Sequence, residues 1–116
     1  PGGLPGATNL AKSEGVSMFA KKMNEAGKII AAICAAPSVV LAPLGILDGK
    51  KATCYPGCEA DFSDTTVHSK ERVVTDGNII TSQGPGTALE FALAVAARLV
   101  GPEITDTVRD KMLVPS

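Results

Sequence analysis

The chain has 116 residues, enough for one domain with one core, and 45% of them are hydrophobic, which excludes a disordered chain. Eleven basic residues nearly balance twelve acidic ones, and only one Tyr and three Phe are present, so neither a basic face nor base-stacking platforms are at hand and no nucleic-acid partner is expected. No apolar run reaches transmembrane length and no signal-peptide pattern opens the chain; with three cysteines, an odd number, this predicts reduced thiols in a cytoplasmic setting.

In chain order, PGGLPG comes first, a Pro/Gly cluster of the kind that follows a strand, although nothing precedes it here. Ser13 to Ala26 predicts a helix. Ser13 suits its N-cap and Glu14 its first turn, Val16, Phe19, Ala20 and Met23 share one buried face, and Gly27 stands just past its end. Lys28 to Ile33 is a two-sided apolar run, the pattern of a buried parallel strand. Pro37 suits the first turn of a helix that Pro43 and Gly45 end near Leu41, and Gly49 to Thr53 predicts another strand. In RVVTDGNIITS, Asp76 and Gly77 separate two β-branched runs and predict a hairpin with a type I′ turn. A strand ending near Ser82, a GPG turn and a helix from Thr87 to Leu99 follow. Thr87 and Glu90 match a capping box, and Phe91, Ala94, Val95 and Leu99 would line the buried face. Gly101 and Pro102 stop that helix, and a short amphipathic helix spans about Glu103 to Met112. Helices alternating with buried strands predict an α/β layered fold, but one with fewer buried strands than a doubly wound sheet needs.

The chemistry centres on Cys34, in KIIAAICAAPSVVL, where the buried strand passes into a helix. Ala35 and Ala36 leave the corner uncluttered, and helix N–H groups nearby favour a thiolate, the logic of a nucleophile elbow. An inert core cysteine fits the local pattern too, since free Cys is among the most buried residue types. A nucleophile wants a base. His68 is the one histidine, but no spacing ties it to Cys34, and Glu14, Glu59 and Asp61 fall in no apolar setting that would tune a carboxylate. Cys54 and Cys58 have C-x₃-C spacing, yet no further pair of suitably spaced ligands completes a zinc site. The expectation is therefore no metal, and two small residues in a loop. Gly84 to Thr87 opens a helix but lacks a Walker lysine or a dinucleotide glycine triplet, so it reads as a capped turn.

Taken together, PGGLPGATNL (Pro1 to Leu10), IAAICAAP (Ile30 to Pro37), GKKATCYPG (Gly49 to Gly57), RVVTDGNIITSQGPGT (Arg72 to Thr87) and EFALAVAARLVG (Glu90 to Gly101) resemble the DJ-one/ThiJ/PfpI superfamily, and most closely its DJ-one/YajL-like branch. The resemblance implies a flavodoxin-like (Rossmann-like) three-layer α/β sandwich of which this chain supplies the C-terminal portion. It makes Cys34 the reactive, oxidation-sensitive cysteine, with backbone N–H groups of Gly2, Gly3 and Ala35 suited to an oxyanion. Peptidase-like members carry histidine directly after the cysteine, where this chain has Ala35. Some members of the branch carry histidine ahead of the proline, where this chain has Tyr55 before Pro56. Members also carry about seventy residues before PGG, an ordinary allotment for the rest of a domain. Those residues supply the first strands and a glutamate that hydrogen-bonds the cysteine. The expected activity is a cofactor-independent glyoxalase or deglycase acting on a small aldehyde, in a homodimer of the complete unit. A redox-sensing or chaperone-like stress protein is the alternative.

Overall fold

Two small sheets and four α-helices make up the computed structural model, which describes residues 1–115. In the larger sheet the strand order is β1-β5-β4, formed by β1 (Ile30–Ile33), β5 (Ile79–Ser82) and β4 (Val73–Asp76). β1 runs parallel to β5 with Ile30 beside Ile79 and Ile33 beside Ser82, and β4 and β5 form the hairpin, antiparallel with Val73 opposite Ser82. The fully buried strand is therefore β5, in the middle, and not the Lys28 to Ile33 run. β1 is an edge strand with Ala31 exposed. The hairpin turn also lies one residue later than expected: Asp76 pairs with Ile79, so Gly77 and Asn78 are the two loop residues. Gly77 has φ 60 and Asn78 has no positive φ, the pattern of a II′ rather than a I′ turn.

Alternation along the strands assigns the two faces of this sheet. Ile79 and Ala32 join the main core with Ala36, Val40, Leu41, Ile46, Leu47 and Ala52. This face is covered by α1 (Gly6–Lys12), α2 (Glu14–Glu25) and a wide π-type turn, Pro37–Leu41, which tightens into one 3₁₀ turn at Ala42–Leu44 and stops at Gly45, φ 75. The other face packs against α3 (Ala88–Val100), which in turn packs on α4 (Pro102–Lys111). Helices on both sides of a sheet give the α/β sandwich that the element order predicted. The smaller sheet pairs β2 (Lys51–Ala52) with β3 (Val67–His68) in parallel, so the strand expected over Gly49 to Thr53 shortens to two residues. It is tied to β5 by the Thr53 N–H, which donates to the buried Thr81 Oγ1 at 3.0 Å. Among the described residues no helix is long and apolar enough to cross a membrane.

Local signals explain most element ends. The Ser13 hydroxyl accepts from the Val16 N–H and caps α2, and Gly27, φ 70, follows its end. Two expectations fail by solvent exposure: Phe19 on α2 and Leu99 on α3 are each 66% exposed, and Leu93 is the buried anchor of α3. The Thr87–Glu90 capping box does not form. The Thr87 hydroxyl turns back to accept from the Gly84 N–H at 3.1 Å and lies 2.6 Å from Ser82 Oγ, while Glu90 pairs with Arg72.

Candidate active site

At the C-terminal end of β1 the chain turns sharply. Cys34 has φ 66, in the left-handed region that a side chain with a Cβ rarely adopts. Two backbone bonds hold it there. Its N–H donates to Ser82 O at 3.0 Å, continuing the β1–β5 ladder, and its carbonyl accepts from the Tyr55 N–H at 2.8 Å. The strand end, the strained residue and the following helical turn have the strand–turn–helix geometry of an elbow. As a residue Cys34 is partly exposed, which counts against an inert core cysteine.

The Pro1–Gly3 stretch lies directly against this corner. A Cβ on Gly2 would stand 2.5 Å from Cys34 Cβ and 2.8 Å from Ile33 O, so only glycine admits the approach. Gly3 has φ 82, and its carbonyl accepts from the Ala7 N–H at 2.7 Å, which seats α1 behind the loop. Among the described residues the N–H groups of Gly2, Gly3 and Ala35 donate to no backbone carbonyl. On the far side stands Tyr55, half exposed, its ring 3.2 Å from where a Cβ on Gly84 would lie. That contact gives the GPG turn its second purpose: Gly84 makes room for Tyr55.

No base for Cys34 emerges from the sequence candidates. Glu14 and Asp61 are exposed. His68, at the end of β3, is exposed, with its ring edge-on to Phe62 at 5.6 Å. It comes together with Cys54 and Glu59, their ligand atoms all within 4.8 Å of one another, and Cys34 is not one of this group. Glu59 Oε2 is shut off from solvent with no hydrogen-bond partner, a setting that the sequence did not foretell. The buried Cys54 thiol donates to Tyr55 O at 3.4 Å, and burial followed by the nearby Glu59 carboxylate pushes its pKa up to about 12. Cys58 is free and partly buried, and it forms no disulfide.

Comparison with known proteins follows the same outline. The model of the DJ-1/PfpI family matches residues 1–98. The chain is 48% identical over 103 residues to protein DJ-1 homolog B of Arabidopsis thaliana, covering 89% of this chain and 23% of that protein. It is 38% identical to the glutathione-independent glyoxalase DJR-1.2 of Caenorhabditis elegans, covering 93% of this chain and 57% of that protein. The crystal structure of Drosophila melanogaster DJ-1beta superposes with a TM-score of 0.93 at 42% identity, covering 100% of this chain and 62% of that one. The chain thus spans less than two thirds of the length of each of these relatives.

Proposed function

The chain belongs to the DJ-1/PfpI family, and on that premise we propose that it carries the nucleophile of a cysteine-dependent glyoxalase or deglycase acting on small 2-oxoaldehydes such as methylglyoxal. The observation that carries this reading is Cys34 at φ 66, partly exposed, with glycine backbone packed onto its Cβ. The similarity to a glutathione-independent glyoxalase supports it.

In this mechanism the Cys34 thiolate attacks the aldehyde carbon. A C–S bond forms and the carbonyl electron pair moves to oxygen, giving a hemithioacetal oxyanion that the N–H groups of Gly2, Gly3 and Ala35 stabilise. A base then removes the proton from that carbon, and the proton is returned to the neighbouring carbon. The first carbon is oxidised to a thioester while the ketone carbon is reduced to an alcohol. Water cleaves the thioester, releasing a 2-hydroxy acid and restoring the thiol. The two redox changes cancel within the substrate, so no redox cofactor enters the balance. We assign the base to a carboxylate from outside residues 1–115, because no carboxylate or imidazole among the described residues hydrogen-bonds the Cys34 thiol.

That assignment makes the N-terminal part of the same protein a partner of this chain, and the proposal extends to a homodimer of the complete unit. The open edge of β1 and the exposed apolar side chains of Met18, Phe19, Leu99 and Ile104 support further covering surfaces. The test is methylglyoxal consumption with lactate detection, by this chain with and without its N-terminal complement, with Cys34→Ser as control. Turnover in the complemented parent alone supports the reading. Turnover that survives Cys34→Ser sinks it.

A second reading, a redox-sensing or chaperone-like protein, rests on the partial exposure of the same residue. Two equivalents of peroxide would take Cys34 to a sulfinate held by the same N–H groups. No turnover together with selective oxidation at Cys34 favours it. A peptidase-type hydrolase is disfavoured by Ala35 in the place where such enzymes carry histidine.

A further inference from the structure

The grouping of Cys54, Glu59 and His68 lies outside the chemistry assigned to Cys34. The three come from separate pieces of chain: the segment after β2, the 3₁₀ turn Glu59–Asp61, and the end of β3. The parallel pairing of β2 with β3 sets His68 beside Ala52, two residues before Cys54, and the 3₁₀ turn returns Glu59 to the same spot. All three line one pocket of about 350 Å³, with Pro56, Gly57, Gln83 and the exposed Lys70, whose flexible stem lets its ammonium group turn out to solvent.

We propose that Cys54, Glu59 and His68 form a site for one divalent cation of the zinc class, bound through the thiolate, a carboxylate oxygen and an imidazole nitrogen, with the fourth position open to the pocket. Geometry supports this. Their ligand atoms lie within 4.8 Å of one another, and tetrahedral bonds of 2.0–2.3 Å would set donors about 3.3–3.8 Å apart, a contraction that side-chain rotation supplies. An independent sign is Glu59 Oε2. A carboxylate oxygen closed to water with no donor is a costly arrangement in a protein interior, and a cation at this point satisfies it. The donor set also chooses among metals. Sulfur with imidazole favours zinc and its neighbours and disfavours magnesium and calcium, which take oxygen. Binding forms the metal–sulfur bond as the Cys54 proton leaves to solvent. The thiolate and carboxylate then balance the two charges of the ion.

Three protein ligands with one place free is the composition of open rather than closed zinc sites. Cys58 is not needed, although the sequence pairs it with Cys54 by spacing. The site stands behind the elbow, since the residue after Cys54, Tyr55, donates its N–H to Cys34 O.

The experiment titrates the full chain, kept reduced with a phosphine, with Co²⁺ and then with competing Zn²⁺. The expected result is one Co²⁺ per chain with a thiolate-to-cobalt charge-transfer band that Zn²⁺ abolishes. The band survives Cys34→Ser and Cys58→Ser and disappears in Cys54→Ser. Because Cys54 is buried, the exposed His68→Ala and the isosteric Glu59→Gln keep the test independent of folding, and each weakens binding about tenfold or more. A missing band at one equivalent overturns the proposal. So does a band that persists without Cys54, one that is lost without Cys34 or Cys58, or unchanged affinity in both His68→Ala and Glu59→Gln.

Discussion

Gly2 and Gly3 are adjacent, yet the structure predicts different consequences for the activity when alanine is placed at the two positions. At Gly2 the backbone is not in the left-handed region, so the objection is space. The new Cβ would stand 2.5 Å from Cys34 Cβ and 2.8 Å from Ile33 O. Ordinary carbon contacts begin near 3.5 Å, so the loop must withdraw by about 1 Å. Neither obstacle is a flexible side-chain tip, so the loop or the elbow itself has to move. The overpacking costs about 1–3 kcal/mol. A 1 Å displacement at a catalytic corner lowers turnover by about 100-fold. At Gly3 a Cβ meets nothing within 4 Å, but φ is 82. Alanine there costs about 1–2 kcal/mol in backbone strain alone and leaves the corner in place. The assays are methylglyoxal turnover in the complemented protein and the rate of Cys34 alkylation, each set against the urea midpoint. Gly2→Ala should lose far more activity than Gly3→Ala at similar stability. Equal losses, or a Gly2→Ala protein with parental Cys34 reactivity, would refute the close-approach argument.

Further expectations concern the elbow and its supports. Cys34→Gly should abolish thiol chemistry while holding or raising the urea midpoint, because glycine relieves a left-handed strain of about 1–3 kcal/mol; a clear loss of stability would show that φ 66 carries little strain. Thr81→Val should cost about 1–3 kcal/mol by leaving the buried Thr53 N–H without its acceptor, as read by urea unfolding. Iodoacetamide should modify Cys34 and Cys58 well before Cys54, whose burial and neighbouring carboxylate hold the thiol protonated to about pH 12; mass mapping of early alkylation gives the order. The Glu71 carboxylate is held below its usual range by its hydrogen bond to Lys51 and then by the Lys51 charge. Its contribution to stability is therefore present above the ordinary carboxylate pKa and lost as pH falls below it, and Glu71→Gln should flatten the acid limb of the stability curve. A variant as acid-sensitive as the parent would show that the exposed pair contributes nothing.

Where a single residue type does one local job, the sequence was readable. The Ser13 cap, the Gly27 stop and the cysteine between strand and helix follow from neighbours within a few positions, and the hairpin does too, although its turn falls on Gly77 and Asn78 and not on Asp76 and Gly77. What escaped depends on the rest of the molecule. The first helix, Gly6–Lys12, begins in a Gly/Pro cluster with poor propensity and is anchored by Ala7, which is completely buried. Thr87 and Glu90 match a capping box in spacing, but closer partners at Gly84 and Arg72 take both side chains. Periodicity placed Phe19 and Leu99 on the correct helices and mistook their faces, because a repeat shows which residues share a face and not whether anything covers it. Cys54, Glu59 and His68 have no regular spacing at all. The β2–β3 pairing and the 3₁₀ turn Glu59–Asp61 bring them together.

The pairing of β1 with β5 also has a consequence in time. Cys34 lies early in the chain, but the bond that fixes its N–H comes from Ser82. Until the polypeptide has been made that far and β5 has docked, Cys34 is an ordinary cysteine in a flexible segment, without the geometry that sets it apart. A contact between such distant segments forms slowly and closes late. The elbow thus cannot mature until Ser82 has been made, and a ribosome-stalled chain ending before Ile79 should show a Cys34 no more reactive than a free thiol.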